Sequence, residues 1–322
     1  MAAALSDLIE SLRAALGILH KRDIQTAARQ LGRYVPHNAT GAAIALGDDC
    51  AAIPDGDGYL LLAAEGLWPP LVEADPWFAG WCAVLVNVSD IYAMGGRPLA
   101  VVDALWSQSE SQATPLWEGM LAAAKAFNVP IVGGHTNCHS PYAALSVAIL
   151  GRATHLLTSF DAQPGDALVL VTNLQGRSHP QYPFWDAATT ADPATLQRHL
   201  ALLPHLAEHH LCRAAKDVSM GGIIGTTLML LETSRCGALL DLDAIPRPAT
   251  MPFEQWLLSF PSYGFLLSVA ATNLPQVQAL FHGEGLVCEA IGHLTSGHQL
   301  WLKLGSVSAP LWDFDHDALT GF

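Results

Sequence analysis

The chain has 322 residues, of which 51% are hydrophobic and 14% charged, so it holds enough apolar material for one large or two medium domains, and disorder is excluded. Its formal net charge of −14 argues against non-specific binding to nucleic acid or to an anionic membrane, because such partners attract basic surfaces. Six scattered cysteines without a CxxC pair are typical of reduced thiols, and no apolar run approaches the roughly 18 residues of a membrane span. We therefore expect a globular cytoplasmic protein.

Three early stretches carry the first signals. Residues 5–34 show an apolar stripe at helical spacing, which predicts one or two helices that serve as a packing element or a lid. Residues 47–49 (Gly-Asp-Asp) lie between two short apolar runs, and adjacent carboxylates in such a setting are costly unless a cation compensates them. We favour a metal-facing carboxylate pair over an ordinary turn. The strand 59–64 then ends at Glu65, at a position where α/β enzymes place ligand-binding groups.

The middle of the first half contains the most informative stretch. An apolar helix predicted from Trp77 to Val86 leads into Asn87, Ser89 and Asp90, and the pair Gly95-Gly96 follows. Such an arrangement fixes a carboxylate on a rigid element, and paired glycines leave room for backbone N–H groups beside a ligand. A buried helix with an ordinary C-cap is the alternative interpretation.

Two later stretches repeat the combination of short polar side chains and paired glycines. A predicted strand ends at Gly133-Gly134 and is followed by His135 and Thr136. In the second half, Asp217 precedes Gly221-Gly222 and an apolar helix. Glycines at the start of a helix expose its first amides, which suits a phosphate group.

The chain is expected to divide into an N-terminal domain of residues 1–155, with a helical extension over about the first 40, and a C-terminal domain of residues 156–322. Residues 177–193 lack periodicity and are expected to form a loop over the surface or over a site. The pattern over 196–215 predicts a helix. The acids that follow residue 312 are expected to belong to a solvated terminus.

In chain order, five of these stretches resemble one superfamily, which contains aminoimidazole ribonucleotide (AIR) synthase, thiamine-monophosphate kinase, selenophosphate synthetase and the hydrogenase-maturation dehydratase. The resemblance implies a PurM-like fold with an α/β N-terminal domain, which dimerises through its sheet, and an α+β C-terminal domain. The matching stretches are 47–53, 65–66, 87–98, 132–136 and 217–222.

The same resemblance implies that ATP and Mg²⁺ bind at the junction of the two domains. Its candidate metal ligands are Asp48 or Asp49, Glu65, Asp90 and Asp217. Its candidate nucleotide-binding residues are Asn87, Ser89, Gly133, Gly134, Thr136, Gly221 and Gly222, with Gly133 and Gly134 beside the phosphates. Asp49 and His135 are the candidate catalytic residues. Several carboxylates around Mg²⁺ would also let an acidic protein bind a polyphosphate.

The chain departs from the superfamily at several points. Glu65 stands where an aspartate is usual, and His135 is the residue of the selenophosphate synthetase type. The glycine-rich Cys/Lys segment of that enzyme is absent from residues 1–46, and residues 260–264 replace the Gly-Glu-Asp-Tyr-Glu segment of thiamine-monophosphate kinase. The chain therefore most resembles an AIR-synthase-related subgroup distinct from the named members.

The expected function is that of an ATP- and Mg²⁺-dependent enzyme, a homodimer that phosphorylates a small metabolite or activates it through a phosphorylated intermediate. The acceptor is expected beside residues 177–192 and Ser262. The alternatives are a catalytically inactive nucleotide-binding relative that acts as a scaffold or partner subunit, and an α/β binding protein without a nucleotide.

Overall fold

A computed structural model describes residues 2–33, 37, 41, 44–261 and 263–322. Contacts divide the chain into two compact units. The five-stranded unit consists of Asp49–Leu156 and Ala188–Glu208, and the seven-stranded unit consists of Met1–Asp48, Leu157–Ala187 and His209–Phe322. Each unit is therefore built from separated segments, whereas the sequence predicts a single boundary near residue 155.

The five-stranded unit contains one sheet and four helices. The strand order is β1-β2-β5-β3-β4, in which only β3 and β4 pair in parallel. The strands are β1 (Ala51–Asp55), β2 (Gly58–Gly66), β3 (Arg97–Trp106), β4 (Ile131–Asn137) and β5 (Ala144–Ala153). The helices are α4 (Pro69–Ala74), α5 (Pro76–Ala93), α6 (Glu110–Phe127) and α7 (Pro193–Glu208).

Helices α5 and α6 pack closely because two glycines face the neighbouring backbone. A Cβ atom on Gly80 would lie 2.1 Å from the carbonyl oxygen of Leu116, and one on Gly119 would lie 1.9 Å from that of Trp77. Asp75 caps the start of α5 by accepting a hydrogen bond from the Phe78 N–H at 3.1 Å. Close packing at this end holds the far end of α5, with its polar side chains, in one place.

The seven-stranded unit has the sheet order β15-β14-β10-β13-β6-β12-β9 and a small sheet of order β11-β8-β7. Its strands are β6 (Ala167–Thr172), β7 (Arg177–Ser178), β8 (Phe184–Asp186), β9 (Ala214–Asp217), β10 (Gly237–Asp241), β11 (Phe260–Pro261), β12 (Gly264–Val269), β13 (Val287–Thr295), β14 (Gln299–Leu304) and β15 (Val307–Asp313). Its α-helices are α1 (Ala2–Ala14), α2 (Leu16–Leu19), α3 (Ile24–Leu31), α8 (Gly222–Ser234), α9 (Phe253–Leu257) and α10 (Leu274–Gly283).

The N-terminal helices belong to the core of the seven-stranded unit. Leu5, Ile9 and Leu12 of α1 and Ile18 of α2 are buried in the same apolar cluster as the strands and α8. The sequence left open a packing element or a lid, and this burial shows a packing element. Residues 34–36 and 38–40 of the predicted extension lie outside the described residues.

Two sequence expectations differ from the structure. The helix predicted over 196–215 ends at Glu208, because His210 takes a left-handed φ of 54° and the chain continues into β9. The segment 177–193 contains β7 and β8, and Phe184 and Trp185 are buried. The chain after residue 304 forms a further strand, β15, which ends at Asp313 and pairs with β14. Asp315 and Asp317 beyond it are exposed, as expected of a solvated terminus. Burial of apolar side chains against neighbouring strands is a tertiary effect that overrides local pattern.

Among the described residues, no helix combines the length and the apolar character that a membrane crossing requires.

Candidate carboxylate site

The centre of the candidate site is a pair of aspartates in the five-stranded unit. Asp90 lies in the last turn of α5 and is 5% exposed, and Asp49 lies just before β1. One carboxylate oxygen of each lies within 4.8 Å of the other. Two ionised carboxylates so close repel each other, and a cation with bonds to oxygen of about 2.0–2.6 Å relieves that repulsion.

The end of α5 favours a cation at this point. The N–H groups of Met94, Gly95 and Gly96 donate to the carbonyl groups of Asp90, Tyr92 and Ile91 at 3.2, 2.9 and 2.9 Å, and Gly95 has a φ of +74°. The glycine pair is therefore a C-cap, the alternative that the sequence left open, and its amides are used within the helix. A helix C-terminus carries partial negative charge, which attracts cations and repels phosphate.

Asn87 and Ser89 are both buried on α5, but they point to different sides of it. Asn87 lies three positions before Asp90, on the same helix face, and its Nδ2 donates to the Ala83 carbonyl at 2.8 Å. Among the described residues, neither Asn87 Oδ1 nor Ser89 Oγ has a hydrogen-bond partner. At 3.6 residues per turn, Ser89 lies about 160° around the helix from Asn87. The structure thus groups Asn87, and not Ser89, with Asp90.

Asp48 and Glu65 have other surroundings. Asp48 Oδ2 accepts a hydrogen bond from the Ser159 N–H at 2.9 Å within the seven-stranded unit. Of the two candidates at the Gly-Asp-Asp stretch, Asp49 is thus the one that lies beside Asp90. Glu65 is exposed near the end of β2, and the grouped carboxylates that the described residues form do not include it.

The glycine pair of the 132–136 stretch lies inside a strand. The sequence predicts a strand that ends at Gly133-Gly134, yet β4 continues to Asn137 because its residues pair in parallel with β3. Asp103 of β3 lies opposite Gly134, and a Cβ atom on Gly134 would lie 2.4 Å from Asp103 Oδ1. The glycine is needed here because a carboxylate occupies the place of its side chain.

A cavity of about 330 Å³ adjoins this pair. Asp103 Oδ2 is buried and has no hydrogen-bond partner among the described residues. Burial raises the pKa of the Asp103 carboxyl, and a hydrogen bond from its own backbone partly offsets this. The cavity is lined by Asp103, Trp117, Met120, Leu121, Ile131, Gly133, Gly134 and Thr136. Sequence reasoning missed Asp103, since an isolated acid in a predicted strand carries no signal of its partner.

His135 lies on β4 and is exposed. Its ring is 5.6 Å from that of Trp106, at an interplanar angle of 48°. The sequence predicts that this candidate catalytic residue follows the end of a strand, and the structure places it within β4.

The third carboxylate stretch belongs to the seven-stranded unit. Asp217 is the last residue of β9, is 5% exposed and lies opposite Phe265 of β12. The Val218 N–H donates to the Gly264 carbonyl at 2.7 Å, and the Ser219 N–H donates to Thr226 Oγ1 at 3.2 Å. These bonds fix the loop between the strand and α8.

The glycines that follow permit the entry into α8. Gly222 has a φ of +64°, and a Cβ atom there would lie 2.5 Å from the carbonyl oxygen of Leu257. The Ser219 Oγ has no hydrogen-bond partner among the described residues. Because α8 starts at Gly222, this loop lies at a helix N-terminus, the end that attracts anions.

Two family models together match most of the chain. Residues 47–153 match the model of the AIR synthase related protein N-terminal domain, and residues 163–304 match that of its C-terminal domain. The chain belongs to the AIR synthase related family. These matches confirm the expected two-domain PurM-like fold, and they confirm the family assignment made from the sequence.

Known relatives align with most of this chain. An uncharacterised protein of Synechocystis sp. is 65% identical over 99% of this chain and 98% of its own. The thiamine-monophosphate kinase of Pyrococcus horikoshii is 31% identical over 80% of this chain and 86% of its own. A solved structure of T. maritima PurL complexed with ADP superposes with a TM-score of 0.73 and 18% identity, covering 92% of this chain and 51% of the longer PurL chain.

Proposed function

We propose that this protein is an ATP- and Mg²⁺-dependent enzyme that phosphorylates a small metabolite or activates it through a phosphorylated intermediate. The observation that carries the proposal is the close pair of Asp49 and Asp90 at the C-terminal end of α5. Relatives and structural neighbours support it, since one is a thiamine-monophosphate kinase and another has been solved with ADP.

The donor set fits Mg²⁺. Carboxylate oxygens are the ligands that this ion prefers, and the unpartnered amide oxygen of Asn87 on the same helix face adds a further hard donor. We assign Asp49, Asp90 and, from the family motif, Asp217 as its protein ligands. When bound, the ion neutralises phosphate charge and aligns the triphosphate for transfer. Asp48 and Glu65 have no metal-binding role in this proposal, which narrows the set expected from the sequence.

The nucleotide would be held by two glycine stretches. Gly133, Gly134 and Thr136 line the cavity beside α6, and Gly221 and Gly222 stand at the N-terminus of α8. A helix N-terminus supplies backbone N–H donors and a favourable dipole for phosphate oxygens. The two stretches therefore offer distinct chemistry, one suited to a small ligand in a cavity and one suited to an anion.

For the acceptor we propose the exposed segment formed by β7 and its connection to the buried strand β8. Arg177 pairs with Asp186 at 3.2 Å, and the ring of His179 stacks on that of Tyr182 at 5.3 Å. An arginine beside stacked rings suits an anionic or aromatic metabolite. Ser262, which the sequence also suggested, lies outside the described residues.

The principal test is calorimetric titration of a non-hydrolysable ATP analogue with and without Mg²⁺. Wild-type protein should bind the analogue only with the metal, and Asp90→Asn should lose that binding while it keeps its melting temperature. Asp57→Asn is the matched control, because Asp57 is an exposed acid of the same unit. Equal binding by wild type and Asp90→Asn would remove the proposal.

The inactive-relative alternative keeps one observation in its favour, the exposed Glu65 outside the carboxylate pair. Incubation with ATP, Mg²⁺ and a metabolite pool separates the two functions. Release of ADP, AMP or phosphate above the Asp90→Asn background supports the enzyme, and binding without any turnover supports the scaffold.

We also propose that the protein is a homodimer that pairs through the open face of the five-stranded sheet. Leu62, Leu99, Val102 and Leu150 are each at least 36% exposed, while their neighbours Leu61 and Val101 are buried. Exposed apolar area of this kind marks an interface, and a second copy presents the same self-complementary face. The family resemblance supports this occupant.

Light scattering after gel filtration tests the dimer. Wild type should elute with twice the 34.2 kDa mass of one chain, and the double variant Leu62→Glu, Val102→Glu should elute as a folded monomer. Leu16→Glu, an exposed apolar residue of the other unit, is the control that should leave the mass unchanged. A double variant that stays dimeric would assign the contact to another surface.

A further inference from the structure

The cavity beside β4 combines an apolar surface with one carboxylate. Trp117, Met120 and Leu121 come from α6, and Ile131 comes from β4. At about 330 Å³ its volume lies at the lower end of the range for small-molecule sites, about 300–1,000 Å³. An indole beside aliphatic side chains provides a stacking surface for a planar ring.

Asp103 is the polar group that distinguishes this cavity. Its carboxylate is half-buried, one oxygen lies over Gly134, and the other is buried without a hydrogen-bond partner among the described residues. Such an unpaired oxygen carries the desolvation cost of burial without compensation. Rotation of the carboxylate exchanges the two oxygens, so either can meet a donor in the cavity. The position is therefore suited to a ligand that brings an N–H group.

The charge of Asp103 also disfavours a phosphate group in this cavity. Phosphate oxygens repel a carboxylate when no cation lies between them, and the grouped carboxylates of the described residues do not include Asp103. The family resemblance places phosphates beside Gly133 and Gly134, yet the side of Gly134 that faces Asp103 is acidic. A planar ring with an exocyclic amino group satisfies both the apolar walls and the carboxylate.

We propose that Asp103 determines base specificity by accepting a hydrogen bond from the 6-amino group of a purine seated against Trp117. This inference rests on the proposed nucleotide binding and adds the location of the base and the residue that selects it. A 6-oxo purine presents a lone pair where the amino group would donate, so it faces the carboxylate unfavourably. Loss of a hydrogen bond to a charged group costs about tenfold in affinity or more.

The test compares Mg-ATP with Mg-ITP, which carries an oxygen in place of the 6-amino group. Wild type should bind ATP at least about tenfold more tightly than ITP. Asp103→Asn, whose amide can accept or donate, should weaken ATP binding and bring the ratio to within about twofold. Trp117→Leu should weaken both nucleotides and keep the preference. Asp57→Asn controls for the loss of one negative charge in the same unit.

The outcomes separate this inference from the function on which it rests. If wild type binds ATP and the ATP-to-ITP ratio is the same in Asp103→Asn, the base is not read by Asp103 and nucleotide binding stands. Stronger binding of both nucleotides by Asp103→Asn would place phosphates in the cavity, which overturns the inference as well. If wild type binds neither nucleotide, the proposed function fails and the inference fails with it.

Discussion

The two units carry the same short pattern, an aspartate followed within a few residues by a glycine pair, and use it at opposite ends of a helix. In the five-stranded unit Asp90 lies on α5 and the glycines close its C-terminus. In the seven-stranded unit Asp217 ends a strand and Gly222 opens α8. The first end attracts cations and the second attracts anions. Similar motifs can therefore supply opposite electrostatics.

Removal of each acid in turn tests whether the two helix ends differ in this way. Asp90→Asn should lower Mg²⁺-dependent nucleotide affinity by more than about a hundredfold, since even outer-shell partners of a metal cost about 10–100-fold. If Asp217 is a metal ligand, as proposed, Asp217→Asn should cause a loss of the same order. The measurement is calorimetric titration at several Mg²⁺ concentrations.

The opposite result for Asp217 would be equally clear. If its loop acts only as an anion site at a helix N-terminus, removal of a negative charge should strengthen nucleotide binding and leave its Mg²⁺ dependence unchanged. That outcome would exclude Asp217 from the metal ligands and leave the Asp49 and Asp90 pair.

The glycine pairs should differ in their effect on stability. Gly222→Ala meets a left-handed backbone and the carbonyl of Leu257, which cannot move independently, so we expect a loss of about 3 kcal/mol in the free energy of unfolding. Gly96→Ala meets chiefly the end of the Leu61 side chain at 2.3 Å, and a rotamer change limits the loss to about 1–2 kcal/mol. Urea denaturation measures both, and equal losses would contradict the difference.

Asp103 differs from Asp90 and Asp217 in that its surroundings are shown to destabilise its charged form. Burial raises the pKa of Asp103 above its ordinary value of 3.8, so the folded protein holds this proton more tightly than the unfolded chain does. The resulting contribution to stability is fully present below pH 3.8 and is lost as the pH rises through the folded pKa. Asp103→Asn should therefore raise the melting temperature slightly at pH 7, and the gain should shrink as the pH falls towards 3.8.

The measurement for Asp103 is thermal unfolding of wild type and variant from pH 7 downwards, with Asp57→Asn as the exposed control. A melting temperature that falls at pH 7 on removal of the charge would show that the carboxylate has a stabilising partner in the folded protein.

The smallest expected effects concern the serines near each acid. Ser89 is buried, and its hydroxyl has no partner among the described residues, so Ser89→Ala should leave stability unchanged or raise it by about 1 kcal/mol. Ser219→Ala lies in a more open loop and should stay within about 0.5 kcal/mol of wild type. If Ser89→Ala lowers nucleotide affinity, the serine contacts the ligand despite its position on α5.

Much of the fold could be predicted from local pattern. The strand predicted over 59–64 lies within β2, and local pattern also predicts strands over 99–105 and 145–150 and a helix over 115–127, which lie within β3, β5 and α6. Local pattern suffices here because alternation and helical spacing act over a few residues. Boundaries were less accurate. The helix start was predicted at Pro115, because proline is typical of a first turn. The actual N-cap is Ser109, six residues earlier, which accepts a hydrogen bond from the Gln112 N–H.

The candidate site was predicted in part. Asp49, Asn87 and Asp90 followed from buried polar residues next to apolar runs, which few structures retain without a reason. Asp103 could not be found in this way. Its place beside the cavity can be recognised only from the parallel pairing that puts it opposite Gly134. The exposure of Leu62 beside the buried Leu61 also depends on which face of the sheet the helices cover.

The sequence by itself determined the family, the order of the motifs and the residue types that can hold a metal ion, because these depend on residue identity and short spacing. The three-dimensional structure was needed to show that the amides of Gly95-Gly96 are used in a helix C-cap, and that Asp49 rather than Asp48 lies beside Asp90. The distance between two carboxylates from separate segments is set by long-range packing, which no local pattern encodes.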